Sequence, residues 1–468
     1  MRAASRSFDG ICLNTISLMQ KKPWQPATGQ TVSRREFIVA SSSTLASAAL
    51  AARGEAAPAE ASSSKLALHG GEKSVKPPAK LGPRWGEPER QRLEALLGQD
   101  SLFYWKGPQT ARFIERFQMT TPLKHVMTCS SGTAALHIAV AAAGVGPGDE
   151  VITSPITDIG TVIGVLFQQG VPVFADLGGS TYNLDPGQVE RRITSRTKAI
   201  IAVHLCGNPC DLTALKAIAD KHRLVLIEDA AQAWGSRHRG QPVGVFGHIA
   251  CWSLQQAKHI TCGDGGVVAS NDERYGPLLQ RFGDKGYDRV KGGLLEAFAT
   301  NYRMTEEQAA IAGAQLDRLE GIVVKRSRLG ALLTEGIAGL AGILPPQTHP
   351  EDRCGFWFYF FRLRPEAFRC DRAEFAKALA AEGVEAGAGY IAATLHRNPV
   401  FQKHGFFAGR WPVKDLGLTT MDYSKWETPE AEAILATGVR ITVHEGMSEE
   451  YIGGVVRAIR KVHRHYAV

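Results

Sequence analysis

Between residues 125 and 270 short β-rich apolar runs alternate with stretches of helical spacing, and that alternation leaves few folds open. Residues 125–129 precede a helical stretch at 132–143, and 150–154 precede one at 161–169. Then come runs at 171–176 and 199–205, a helix over 212–221 and a strand over 224–229. Strands joined by helical crossovers predict an α/β fold with a mostly parallel sheet. Runs at 249–253 and 265–270 extend it.

Beyond Thr305 the pattern changes. Apolar residues at Ala309, Ala310, Ala312, Ala314, Leu316 and Leu319 predict a long helix running towards Leu332, of the charged kind that connects domains. Pro345-Pro346 breaks the chain, and an aromatic-rich strand over 356–363, a helix over 372–382 and a terminal helix over 451–462 follow. A chain of 468 residues exceeds what one core usually serves. The spacing therefore predicts a large domain over 87–325 and a smaller α+β domain over 326–468, preceded by an arm over 61–86.

Residues 1–60 read as an address. Ser33-Arg34-Arg35-Glu36-Phe37-Ile38 is followed by an uncharged apolar and small-residue stretch over 39–52, then by Ala56, Ala57 and Ala59. Charged region, short apolar region and small-residue cleavage site are the parts of a secretory leader. Twin arginine before Phe resembles the bacterial twin-arginine signal, which predicts an exported protein beginning near residues 57–61. Met1 and Met19 both remain open as starts.

The net charge of +8 divides unevenly: residues 1–57 hold seven Lys/Arg and three Asp/Glu, so the other 411 carry only +4. No basic block interleaved with aromatics remains, which excludes nucleic acid as an expected partner. No apolar run reaches membrane-spanning length. The eight cysteines show no C-x-x-C pair, so no metal site is expected.

Three elements carry chemistry. Ser253-Leu254-Gln255-Gln256-Ala257-Lys258, followed by Gly263-Asp264-Gly265-Gly266, sets one lysine between two apolar strands. There a hydrophobic wall can lower its pKa and make it nucleophilic. Val225-Leu226-Ile227-Glu228-Asp229-Ala230 ends a buried strand on acids, where an unpaired carboxylate is costly and where open α/β sheets bind ligands. Asp229 is placed to face the ring nitrogen of pyridoxal phosphate, which needs an anion there to act as an electron sink. Alone it is also explained as the start of a turn. Ser130-Ser131-Gly132-Thr133 opens a helix with donors suited to a phosphate, though by itself this is an ordinary N-cap.

In the order phosphate loop, acid, lysine, the chain resembles the DegT/DnrJ/StrS family of sugar and cyclitol aminotransferases over about residues 65–465. Val203-His204-Leu205, Gly207-Asn208-Pro209, Gly247-His248-Ile249, Pro147-Gly148-Asp149-Glu150-Val151-Ile152 and Asn301-Tyr302-Arg303-Met304-Thr305 carry the likeness. The resemblance implies the aspartate-aminotransferase fold (pyridoxal-phosphate fold type I), with the cofactor held by Lys258 as a Schiff base. It implies Asp229 at the ring nitrogen, Gln232 at the ring hydroxyl, and Gly132, Thr133 and Ser253 at the phosphate. Asn301 would reach the phosphate of a neighbouring subunit, so a homodimer with shared sites is expected. An amino donor, glutamate or glutamine, would aminate a keto-sugar or keto-cyclitol.

Two positions depart from the family. Asp158 stands where an aromatic often stacks on the cofactor, and Trp234 where His is common; both are expected to face the substrate. Loops over 103–109, 283–294 and 397–414 are expected to set specificity. Two rival activities are a sugar dehydratase of the same fold, whose members often carry His in place of the lysine, and a non-catalytic pyridoxal-phosphate sensor.

Overall fold

The computed structural model describes residues 65–76 and 81–468; the leader and its arginine pair lie outside them. The apolar runs become seven strands of one sheet: β1 (His125–Cys129), β2 (Glu150–Thr153), β3 (Val171–Phe174), β4 (Thr197–Val203), β5 (Val225–Asp229), β6 (Ile249–Ser253) and β7 (Gly266–Ser270). Their order is β1-β7-β6-β5-β4-β2-β3. Strands β2 to β6 are mutually parallel, and β7 runs antiparallel between β6 and β1. The expected mostly parallel α/β sheet is what the chain forms. Helices Gly132–Ala142 and Gly160–Phe167 are apolar almost throughout and buried, as crossover helices packed on a sheet must be.

Register sets the site. Val203 pairs with Asp229, and Asp229 with Cys251, so the carboxyl ends of β4, β5 and β6 finish side by side. Between β6 and its antiparallel neighbour β7 the chain needs only a local connection, residues 254–265. That connection, which holds Lys258, stays at the same edge.

The expected long helix is two, Glu306–Leu316 and Leu319–Ile337. Thr305 caps the first in a reciprocal capping box with Gln308. The expected domain boundary at 325/326 falls inside the second helix. A second sheet of four antiparallel strands follows: β8 (Ile343–Leu344), β9 (Tyr359–Leu363), β10 (Ala386–Ala388) and β11 (Gly438–Ile441), ordered β8-β9-β11-β10. Period-two alternation splits the aromatic run. Tyr359 and Phe361 join Val439 and Ile441 in a core of their own with helices Arg372–Ala381 and Glu449–Tyr466. Phe358 and Phe360 enter the core of the large sheet with Tyr182, Ala431 and Ile434. The described residues accordingly fall in one compact unit.

The segment over 397–414 is anchored to the large sheet. Phe401, Trp411 and Val413 are buried with Tyr423 against Phe174. Nearby, Tyr423 and Trp426 donate to the carbonyls of Pro172 and Phe174 at 2.7 and 2.9 Å. This covers the otherwise open edge of β3, where unpaired backbone would invite pairing with another chain.

Candidate active site

Three chain segments meet at the carboxyl edge of the sheet. The first is the turn after β1. Ser131 Oγ accepts from Ala134 N at 3.0 Å and starts helix Gly132–Ala142. Gly132 lies against the end of β6: a Cβ there would come within 2.7 Å of Ser253 Cβ and 3.1 Å of its Oγ. Only glycine lets the helix start close on Ser253. Thr133 Oγ1 is equally tight against Gly160. Gly132, Thr133 and Ser253 are thus brought together, with hydroxyls at the positive end of a helix, where an anion is favoured.

The second segment is the end of β5. Asp229 is buried. Its Oδ2 accepts from Thr161 Oγ1 at 2.8 Å and its Oδ1 from Ala231 N at 3.1 Å. Burial pushes its carboxyl up; the two donors and the charges of Lys258 and His204 pull the other way. An acid so placed gains most from one more cationic donor.

The third is the connection to β7. Lys258 is 9% exposed, and burial brings its ammonium down to about 8, against the opposing pull of Asp229 and Asp158. A lysine depressed on folding costs stability most while protonated in both states, and the cost is relieved as pH rises from the folded towards the unfolded value. Its Nζ lies 3.8 Å from the ring centroid of Trp357.

Around these stand the polar groups of the mouth. Gln232 is buried; its Oε1 accepts from Cys206 N at 2.9 Å and its Nε2 donates to Tyr390 OH at 3.3 Å. Asp158 is exposed, accepts from Gly160 N at 2.8 Å, and acts electrostatically on both Lys258 and Tyr390. The Tyr390 ring packs on Phe358 at 5.0 Å and edge-on to Trp357 at 5.9 Å.

Trp234 does not face this mouth. It is 1% exposed, donates from Nε1 to Ser253 O at 2.7 Å, and packs on Phe117 and Trp252. An indole tolerates that burial because its one donor is satisfied; the residue expected to face the substrate, because it stands where the resembling family commonly has His, is a core residue instead. Asn301 is exposed and its Oδ1 accepts from Arg303 Nε at 2.7 Å. Its segment is tied to the end of β1, where Ser130 N donates to Tyr302 O at 2.7 Å.

Trp357 and Tyr390 escaped the sequence reading. Trp357 lies in a run that reads as an aromatic-rich strand, and Tyr390 follows Gly387-Ala388-Gly389 with no motif to mark it. Among the described residues no cluster of His, Cys, Asp or Glu could hold a metal ion, and all seven described cysteines are free.

A buried amine, a buried carboxylate and a helix start for an anion are the three groups that pyridoxal phosphate requires, and the residues present fit it. The Gly132 cradle against Ser253 and the twice-bonded Asp229 carboxylate are the observations that test the fit.

The model of the DegT/DnrJ/EryC1/StrS aminotransferase family matches residues 83–460. GDP-perosamine synthase of Caulobacter vibrioides is 33% identical over 356 residues, 75% of this chain and 90% of the relative. A putative L-glutamine:3-amino-2,3-dideoxy-scyllo-inosose aminotransferase of Micromonospora echinospora is 34% identical over 380 residues, 79% of this chain and 90% of that one. The crystal structure of an aminotransferase from Psychrobacter cryohalolentis superposes with a TM-score of 0.75 at 28% identity, over 83% of this chain and 99% of that one.

Proposed function

Because the chain belongs to the DegT/DnrJ/EryC1/StrS aminotransferase family, we propose that it moves an amino group from glutamate or glutamine to a keto-sugar or keto-cyclitol. The observation that carries this reading is Lys258, a buried amine drawn down to about 8 beside Asp229. The names of the relatives, a perosamine synthase and an inosose aminotransferase, support the acceptor class.

Pyridoxal phosphate, when bound, supplies an electron sink for the carbon that bears the amine. Lys258 holds the cofactor and moves the proton at that carbon. Asp229, oriented by the Thr161 hydroxyl, keeps the ring nitrogen protonated. Gln232 would meet the ring hydroxyl, and Gly132, Thr133 and Ser253 would hold the phosphate. Asp158, exposed at the mouth, accepts hydrogen bonds from the substrate. With no aromatic at that position, Trp357 and Tyr390 supply the apolar wall.

The dehydratase reading is disfavoured by the neighbour of the lysine. His259 is fully buried, its Nε2 bonds Gly355 O at 3.0 Å, and burial with the charge of Arg326 holds its imidazole well below the usual range. It is turned into the core and cannot take the place of Lys258.

The test is spectral. Full-length protein loaded with pyridoxal phosphate should lose its yellow absorbance on adding glutamate or glutamine and regain it on adding a keto-sugar or keto-cyclitol. A spectrum unchanged by any amino donor would mean a binder, not a transaminase.

The working unit is a homodimer in which Asn301 reaches the partner's phosphate site. Val290, Leu294, Leu295 and Phe298 stand exposed just before it, and clustered apolar exposure marks a surface for a partner. Asn301→Ala should weaken cofactor binding, and dimers mixing it with Lys258→Ala should recover one active site of two. Sedimentation of a fully active monomer would remove the shared-site idea. The Arg34-Arg35 leader directs export of the folded, cofactor-loaded protein. With both arginines replaced by lysine the precursor should stay in the cytoplasm, still yellow; an unreplaced protein found there uncleaved would end that reading.

A further inference from the structure

Every carbonyl from Gln256 to His259 is bound by a side chain from elsewhere in the fold. Arg84 donates to Gln256 O and Lys258 O, each at 2.5 Å, and to His259 O at 2.8 Å. Trp357 Nε1 donates to Ala257 O at 2.6 Å while its ring lies against Lys258 Nζ. The connection after β6 leaves the ladder, so its carbonyls need partners from outside it. A guanidinium, with its donors in a planar fork, can bridge three oxygens that one ammonium could not.

Arg84 is itself anchored. Its carbonyl accepts from Gln315 Nε2 at 2.6 Å and from Arg318 at 2.7 Å. Both donors also hold Glu89 Oε1, at 2.8 and 2.5 Å, and Glu89 Oε2 takes Gly86 N at 2.8 Å. Glu89 is 2% exposed. A continuous set of bonds thus runs from the end of helix Glu306–Leu316 through the segment 84–89 to the backbone of Lys258.

We propose that Arg84 is a positioning residue for Lys258, holding the 256–259 backbone so that Nζ stays buried between Trp357 and the Asp229 side of the site. The need is physical. A lysine on a four-carbon stem turns its ammonium to water wherever its backbone allows, and burial of this one is unfavourable while it is charged. The far end of the connection has its own ties: Thr261 Oγ1 and Cys262 N donate to Leu254 O at 2.9 and 3.1 Å, and Gln308 Nε2 donates to Asp264 O at 2.6 Å. Restraint at the near end comes from Arg84 and Trp357. The inference rests on Lys258 being the reacting amine.

The experiment compares Arg84→Ala and Arg84→Lys, as full-length cofactor-loaded protein, with Arg90→Ala, whose side chain pairs with exposed Glu87 and Glu94. Three quantities are read: kcat and KM for the amino donor, amide hydrogen exchange of residues 254–265 against 225–229, and the pH midpoint of the visible absorbance. Arg84→Ala should lower kcat about 10- to 100-fold with KM changed less than about threefold, as misplacement of a reacting group does. Exchange over 254–265 should rise about tenfold or more with β5 unaffected, the mark of a local opening. The absorbance midpoint should move, and Arg90→Ala should change none of the three. Arg84→Lys should fall in between, since it keeps the charge but cannot span three carbonyls; if Arg84→Ala does not fold, it decides alone by the same readings. Unchanged kcat, exchange and midpoint in a folded variant would overturn the proposal. So would an equal rise in exchange over 225–229, which signals general destabilisation. If the unsubstituted protein shows neither colour nor transfer, the aminotransferase reading fails, and the exchange comparison still decides whether Arg84 restrains the connection.

Discussion

Lys258→Ala is expected to fold, to bind pyridoxal phosphate without covalent attachment, and to lose turnover by about four orders of magnitude or more, since nucleophile and proton carrier go together. The protein should not suffer for it. A buried ammonium brought down to about 8 opposes folding at neutral pH, so the alanine variant should melt no lower than the parent in cofactor-free form. In the unsubstituted protein borohydride should fix the cofactor to the peptide that holds Lys258. The rate of cofactor capture should rise with pH through about 8, because the neutral amine is the nucleophile. Asp158→Asn removes one of the two carboxylates that hold the ammonium up, so it should move that midpoint lower. Reduction that labels another lysine, or capture independent of pH between about 7 and 9, would remove Lys258 from its role.

The fold was legible because burial on a sheet leaves a periodic trace. Residues 125–129 and 249–253 were bounded as strands and are strands, since their apolar runs serve only the core. Asp229 and Lys258 were legible for the opposite reason: each breaks an apolar context, and a charge there needs a cause. What stayed hidden is what does not interrupt a pattern. Trp357 lies in an aromatic run whose alternation sends Phe358 and Phe360 into one core and Tyr359 and Phe361 into another, and its own position at the Lys258 amine depends on a packing that one strand does not encode. Arg84 is one arginine among many; its contact spans 174 positions to Lys258, and only the fold brings them together. Trp234 shows the reverse error. Its place where the resembling family commonly has His suggested a site residue, yet a large indole with one donor is as readily a core residue, and the Ser253 carbonyl accepts its hydrogen bond.

Asp229 offers the sharper separation of charge from shape. Asp229→Asn keeps the volume and leaves an oxygen to accept from Thr161 Oγ1, now at 2.8 Å, but removes the anion that the ring nitrogen requires. Amino transfer should fall about 10²- to 10⁴-fold, the range for losing a preorganised charge at a reacting centre, while cofactor binding changes far less because the phosphate contacts remain. Thr161→Val tests the same carboxylate from the other side. It deletes a donor that favours the ionised form, so the Asp229 carboxyl should rise further and the acid limb of the activity profile should move to higher pH. Stability should run against activity. The Asp229 carboxyl is raised on folding by burial; its favourable contribution is present below the unfolded value and is lost as pH climbs through the folded one. Above the folded value the ionised group therefore opposes folding of the cofactor-free protein, and Asp229→Asn should melt there at the same temperature or higher while being nearly inactive. A variant that lost activity and stability together would point to a structural acid. A variant that kept activity within about threefold would mean that another group supplies the charge, since the loss of a needed anion costs far more than that.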